Sequence, residues 1–295
     1  MKTLCTTAAI AAGLAALIPP AAAQPLANRI AHPNPSQYRA AKSVHGGPGE
    51  LRYMGLFDAT TLSTNLLFLH RGVIPPKSGI GHHFHNDMEE MFVIFDNEAE
   101  FTIDGRTSRL TGPAGAPCVM GHSHAIYNPT DKPTEWMNIA VSRVKGKYDV
   151  FDLADGRVGA PIDPVPVFMT MRLDRDRLRP VPGMNGGKAT ARYSRVLQPE
   201  VFRTNWSYVD HILLPPGASV GAHVHRGVEE FYYVMEGDGR VAVGQEEAVI
   251  RKDDVIPIRL NEVHSFENTG AADLIFLVVG IARDKHVLDS TDVAK

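Results

Sequence analysis

"HHFHNDMEE", His82 to Glu90, places three histidines and two glutamates within nine residues, and 140 positions later the chain writes "AHVHRGVEE", Ala222 to Glu230. The same shift carries Thr64-Asn65 to Thr204-Asn205, Pro75-Pro76 to Pro215-Pro216, Gly81 to Gly221, Pro117 to Pro257 and Asn128 to Asn268, without a gap. Proline pairs and glycines fix turn geometry, so the repeated object is a supersecondary unit together with its turns.

The segments between these marks read as strands. "TNLLFLHRGVI", "EMFVIFD", "AEFTIDG" and "TEWMNIAVSRV" in the first half, with "WSYVDHILL", "EFYYVME", "GRVAVG" and "ADLIFLVVGIA" in the second, are rich in Val, Ile, Phe and Tyr and bounded by Gly, Pro, Asn or Asp. Neither half contains a long helical period. Many short strands separated by frequent turns imply an all-β sandwich or barrel, and the duplication implies two of them. The expected organisation is a signal segment over 1–23, a first barrel over 48–145, a linker over 146–163 and a second barrel over 164–284. "VPVFMTMRL" (165–173) is expected as a strand of the second barrel. "GMNGGKAT" (183–190) fails the phosphate-loop pattern at Pro182 and Ala189 and reads as a surface loop.

Each half carries the set His, His two residues on, Glu five further and a third His later: His83, His85, Glu90, His124 and His223, His225, Glu230, His264. Alternation along a strand sends His83 and His85 to one face, and His223 and His225 likewise, while Glu and the last His arrive from neighbouring strands. Three neutral imidazoles and a carboxylate suit a divalent transition ion (Mn, Fe, Zn, Ni or Cu), one per barrel, with coordination positions left for a substrate. Glu89 and Glu229 would face the opposite side, so Glu90 and Glu230 are taken as ligands. His32, His45, His70, His211 and His286 read as ordinary core or surface histidines, and His82 and His122 as structural ones. The same parity sends Phe92 and Ile126 into the first cavity and Tyr232 and Phe266 into the second. Tyr232 is therefore the candidate catalytic residue, able to donate to a bound anion or relay a proton, and the second barrel is expected to do the chemistry.

These residues resemble the cupin superfamily, and two complete sets resemble a bicupin. The first cupin motif, G(x)5HxH(x)3,4E(x)6G, is matched by Gly217, His223, His225, Glu230 and Gly237; in the first half Lys77 and Asn97 replace its glycines. The second motif is matched in part by Gly121, His124 and Asn128, and by His264 and Asn268 with Asn261 in the glycine position. The resemblance implies tandem double-sheet jelly-roll barrels with a metal inside each. Oxalate-type bicupins carry an arginine just before the histidine pair, and "GIGHHFH" and "SVGAHVH" have none. That leaves a metal-dependent enzyme acting on a small oxygenated organic molecule. A dioxygenase is the leading subclass; a lyase, decarboxylase or isomerase, or a non-catalytic sugar or organic-acid binding protein, are the alternatives.

The chain has 295 residues, 44% of them hydrophobic, and a formal net charge of -3. No block of basic residues suggests a nucleic-acid or membrane partner. Met1-Lys2, an apolar run from Leu4 to Ile18 and "PPAAAQ" read as a secretory signal cleaved before Gln24, which implies a periplasmic or secreted protein with no membrane attachment after cleavage. Only Cys118 would remain, so no disulfide within the mature chain is available to stabilise it.

Overall fold

The computed structural model describes residues 24–293, and the expected signal segment lies outside the described residues. In the first half, one sheet runs in the order Arg39–Lys42, Glu50–Asp58, Leu66–Ile74, Thr134–Ser142, Met88–Ile94, Ala114–Cys118 and Met171–Arg172. Facing it is a sheet of Phe151–Asp155, Gly79–His85, His122–Tyr127, Glu98–Ile103 and Arg106–Thr111. The second half repeats this. One sheet holds Arg179–Pro182, Thr190–Leu197, Trp206–Leu214, Leu274–Ala282, Val228–Glu236 and Val255–Ile258; the other holds Glu246–Arg251, Asp238–Val243, His264–Glu267, Ser219–Val224 and Thr291–Asp292. These are two tandem double-sheet jelly rolls. No helix among the described residues is long and apolar enough to cross a membrane.

Strand alternation divides the core. Phe92, Ile94 and Trp136 point into the first barrel, while Met91, Val93, Met137 and Ile139 on the same strands point out and pack with Val209, Phe231, Tyr233 and Leu277 of the second half. The larger sheets therefore meet face to face. Glu89 and Glu229 lie on this outward face and cross it reciprocally. Glu89 accepts from the Thr204 amide at 2.9 Å, the Thr204 hydroxyl at 2.5 Å and the Arg203 amide at 2.6 Å, and Glu229 accepts from the Thr64 amide at 2.6 Å. The repeated Thr is the partner of the repeated Glu in the other half. Glu89→Ala leaves these buried donors without an acceptor, and we expect a loss of about 2–4 kcal/mol in urea denaturation. A loss below about 0.5 kcal/mol, the range of an ordinary surface substitution, would remove the carboxylate from this role.

Two segments lie elsewhere than the sequence reading put them. Within 165–173 only Met171–Arg172 is a strand, and it pairs with Ala114–Cys118 of the first barrel, Met171 opposite Gly115. The missing side chain at Gly115 makes room, since a Cβ there would lie 3.1 Å from Met171 Cε. The mirror exchange occurs at the start of the chain: Ala31 bridges to Val255 and Leu26 is buried in the core of the second barrel. Each half thus lends the stretch ahead of its own barrel to the other. The second difference is the expected linker. Its Phe151–Asp155 extends the first barrel, with Phe151 opposite Phe84 and Asp152 opposite His83. The first barrel also begins before residue 48, at Arg39–Lys42 and the 3-10 turn Val44–Gly46.

Candidate metal centres

His83 and His85 come from Gly79–His85, Glu90 from Met88–Ile94 and His124 from His122–Tyr127; His223, Glu230 and His264 occupy the matching strands of the second half, and His225 lies one residue past the end of Ser219–Val224. In each group one donor atom per residue lies within 4.8 Å of all the others, and all eight residues are buried. The eight expected ligands are brought together as two sets of four.

The imidazole orientations identify what these groups suit. His83 Nδ1 faces the Gly81 carbonyl at 2.7 Å and His85 Nδ1 the Asp149 carbonyl at 2.6 Å. His223 Nδ1 faces the Gly221 carbonyl at 2.9 Å, His264 Nδ1 the Glu262 carbonyl at 3.0 Å, and His225 Nδ1 the Asp289 carbonyl. A carbonyl can only accept, so those nitrogens carry protons and the Nε2 atoms turn inward, as lone pairs wherever the ring is neutral. In the first centre His85 Nε2 and His124 Nε2 are 3.3 Å apart and lie 2.9 and 3.0 Å from Glu90 Oε2. In the second, His225 and His264 Nε2 lie 3.2 and 3.3 Å from Glu230 Oε2, but neither has a hydrogen-bond partner. Acceptors converging in a buried space repel one another unless a cation sits among them. Both residue sets therefore fit a divalent ion.

Electrostatics point the same way. Burial raises the Glu90 carboxyl, but the imidazoles of His124, His83 and His85 around it outweigh that and hold the group well below its usual range. Burial opposes ionisation of Glu230 as well, and His225 and His264 again overcome it. Burial and neighbouring imidazoles push His124 down to about 3 and His223 to about 4, so both rings are neutral and able to coordinate. His225 behaves differently: burial lowers it, but Glu230 wins and raises it to about 9. A metal entering the second centre at neutral pH displaces that proton.

Four supporting groups went unnoticed in the sequence. Asn138 donates from its amide to Glu90 Oε1. Tyr208 donates to Glu230 Oε1 at 2.6 Å. Asp149 and Asp289, again 140 apart, orient His85 and His225 through their carbonyls and receive the Asn86 and Arg226 amides on their carboxylates. Their recurrence at the same offset was a usable signal, but Asp149 falls in the presumed linker. His45 is held by the turn Val44–Gly46 with φ +50 and stacks on the His83 ring at 4.1 Å, its Nδ1 2.6 Å from Asp152. Gly81 makes that approach possible, because a Cβ there would lie 2.1 Å from the His45 carbonyl oxygen. His82 and His122 turn elsewhere, to Ser123 and Asp104.

The two centres differ in access. A cavity of about 370 Å³ opens on His83 and Glu90, with Tyr53, Phe68, His70, Trp136 and Asn138 in its walls and Tyr148, 48% exposed, also lining it. In the second barrel Arg195 and Asp210 stand at the positions of Gly55 and His70. They are paired at 2.8 Å, Tyr193 donates to Asp210 at 3.1 Å, and the Arg195 guanidinium lies 4.1 Å from the centre of the Tyr208 ring. Tyr193, Tyr208 and Asp210 thus stand where Tyr53, Phe68 and His70 line the first cavity, and the Tyr208 hydroxyl reaches Glu230. Tyr232 is buried, 3.3 Å from Glu230 Oε2 and stacked on Phe266, and burial together with Glu230 keeps its hydroxyl protonated. Phe92 lies flat against His124 at 4.4 Å and, like Ile126, is part of the first-barrel core.

Tandem jelly rolls with three imidazoles and a carboxylate at each centre define a duplicated metal-binding β protein. A family model for the cupin domain matches residues 210–280. An oxalate-binding protein of Thermotoga maritima is 36% identical over 99 residues, which is 34% of this chain and 82% of that protein. The oxalate decarboxylase of Bacillus subtilis superimposes with a TM-score of 0.61 at 17% identity, covering 89% of this chain and 78% of its own. That of Lactobacillus farciminis, in complex with formate, gives 0.62 at 16% identity, covering 88% and 87%. The chain belongs to the cupin superfamily, and its two barrels make it a bicupin.

Proposed function

We propose that the chain is a metal-dependent enzyme of the lyase or decarboxylase class, acting on a carboxylic acid in the first barrel, with the second centre structural. The observation that carries this is the cavity that reaches His83 and Glu90, together with the replacement of its wall residues Phe68 and His70 by the packed Tyr208 and the Arg195-paired Asp210 in the other half. This reverses the expectation built on Tyr232. The Thermotoga relative's name, an oxalate-binding protein, favours an organic acid as ligand, and we take non-oxidative cleavage of that acid in place of the dioxygenase expected from the sequence.

His83, His85, Glu90 and His124 would hold a divalent ion, which would supply Lewis-acid chemistry toward the acid's oxygens. The surrounding residues manage the proton. In decarboxylation the electron pair of the broken bond stays on carbon, CO₂ leaves and one proton must arrive. Tyr148 lines the same cavity and offers a hydroxyl proton for that delivery; burial, followed by the charges of Glu90, Asp152 and Asp149, raises its pKa, so it donates only to a strongly basic carbon. His45, anchored by Asp152 and packed on His83, walls the same space.

The test is a panel of carboxylic acids assayed for CO₂ release while dissolved oxygen is recorded, after elemental analysis has identified the bound ion. CO₂ without oxygen loss is expected. Stoichiometric oxygen consumption would return the assignment to a dioxygenase, and binding without turnover by fully metallated protein would make it a binding protein.

A further inference from the structure

The strand Thr134–Ser142 sends Trp136 and Asn138 to the same face, and both line the first cavity. The Trp136 indole nitrogen and the Asn138 amide oxygen are buried, and neither has a hydrogen-bond partner. The Asn138 amide cannot be turned to cure this, because its NH₂ group is needed by the Glu90 carboxylate. A buried donor and a buried acceptor, two residues apart in one cavity wall, are a costly arrangement that a ligand with a polar substituent relieves. In the second barrel Phe276 and Val278 stand at the equivalent positions and raise no such demand.

The remaining walls are apolar or aromatic, including Leu51, Ile80, Tyr53 and Phe68, and neither arginine nor lysine lines the cavity. A divalent ion held by three neutral imidazoles and Glu90 carries one net positive charge, enough for one negative charge on a ligand. The second carboxylate of a small dicarboxylate such as oxalate would be buried without a cation. The cavity's volume of about 370 Å³ also lies in the range of sites that enclose ring-sized ligands.

We propose that the first cavity takes a flat aromatic acid: a single carboxylate with a neighbouring oxygen at the metal end, and a further ring hydroxyl paired with Trp136 and Asn138. This rests on the metal reading given above and narrows its carboxylic acid to one chemical class.

Calorimetric binding to zinc-loaded protein tests it, with 2,4-dihydroxybenzoate and oxalate as probes and zinc content measured in every sample. The aromatic probe should bind at least about tenfold more tightly than oxalate. Trp136→Phe keeps the ring and removes the N–H, so it should weaken 2,4-dihydroxybenzoate about five- to tenfold and leave oxalate unchanged. Should that variant fail to fold, Gly55→Arg with His70→Asp transplants the filling of the second barrel and should abolish aromatic binding with zinc content intact. Oxalate binding as tightly as the aromatic acid, with zinc present, would overturn the substrate class and leave the metal reading standing. Failure to retain zinc would overturn both.

Discussion

Chelation of the protein as purified lowers its melting temperature by roughly 5–10 °C for each centre emptied. The expectation follows from the donor geometry. Each four-ligand group exists only in the folded chain, so an ion bound there stabilises that state by about 2.7 kcal/mol when free metal is 100 times its dissociation constant. Removing it withdraws this contribution and leaves the inward nitrogens of His85 and His124, 3.3 Å apart, facing a buried carboxylate with nothing between them. His85→Ala and His225→Ala should each remove about half of the chelator-sensitive shift, because the centres lie in separate barrels and share no ligand. Differential scanning calorimetry with and without EDTA, on wild type and both variants, provides the measurement. A melt that ignores the chelator in all three proteins would mean that the groups hold no metal.

Much of this fold was legible because duplication turns one sequence into two readings of the same structure. The offset of 140 identified all eight residues of the two centres, and strand alternation separated Glu90 and Glu230 from Glu89 and Glu229. The alternation argument also carried further than metal binding, since the glutamates it turned away from the centres are the ones that tie the halves together. What stayed hidden depends on pairing that leaves no side-chain pattern. Ala31 and Met171 are equivalent positions of different residue type, and their backbone exchange between barrels cannot be read from either. Chain order suggested that the stretch holding Met171 belongs to the barrel that follows it.

The functional difference between the halves was hidden for another reason. A search for repeats rewards identity, whereas access is decided where the copies disagree. Gly55 against Arg195, His70 against Asp210 and Asn138 against Val278 are such places, and each changes the volume or polarity above the metal ligands. His45 escaped for a related reason. A lone histidine ahead of a barrel reads as surface, and only the close approach over Gly81 brings its ring onto His83.

Replacing one ligand in each barrel separates catalysis from support, and the two variants should fail in different ways. His83→Ala removes a ligand that lines the cavity, so turnover of whichever acid the CO₂ assay identifies should fall by about a thousandfold or more, the scale expected when several kcal/mol of metal-ion stabilisation of the transition state is lost. His223→Ala removes a ligand from the centre we propose to be structural, so turnover should stay within about threefold of wild type while the melting temperature drops. Tyr232→Phe should behave like the second variant, since its hydroxyl serves Glu230 at 3.3 Å and that centre is not the one the cavity reaches. Each protein must first be shown to be folded and to keep the metal of its untouched barrel, because transmission of damage through the shared apolar face would otherwise imitate a catalytic defect. If His223→Ala abolishes turnover and His83→Ala preserves it, the working barrel is the second, and the Arg195–Asp210 stack must then be a gate that opens for substrate.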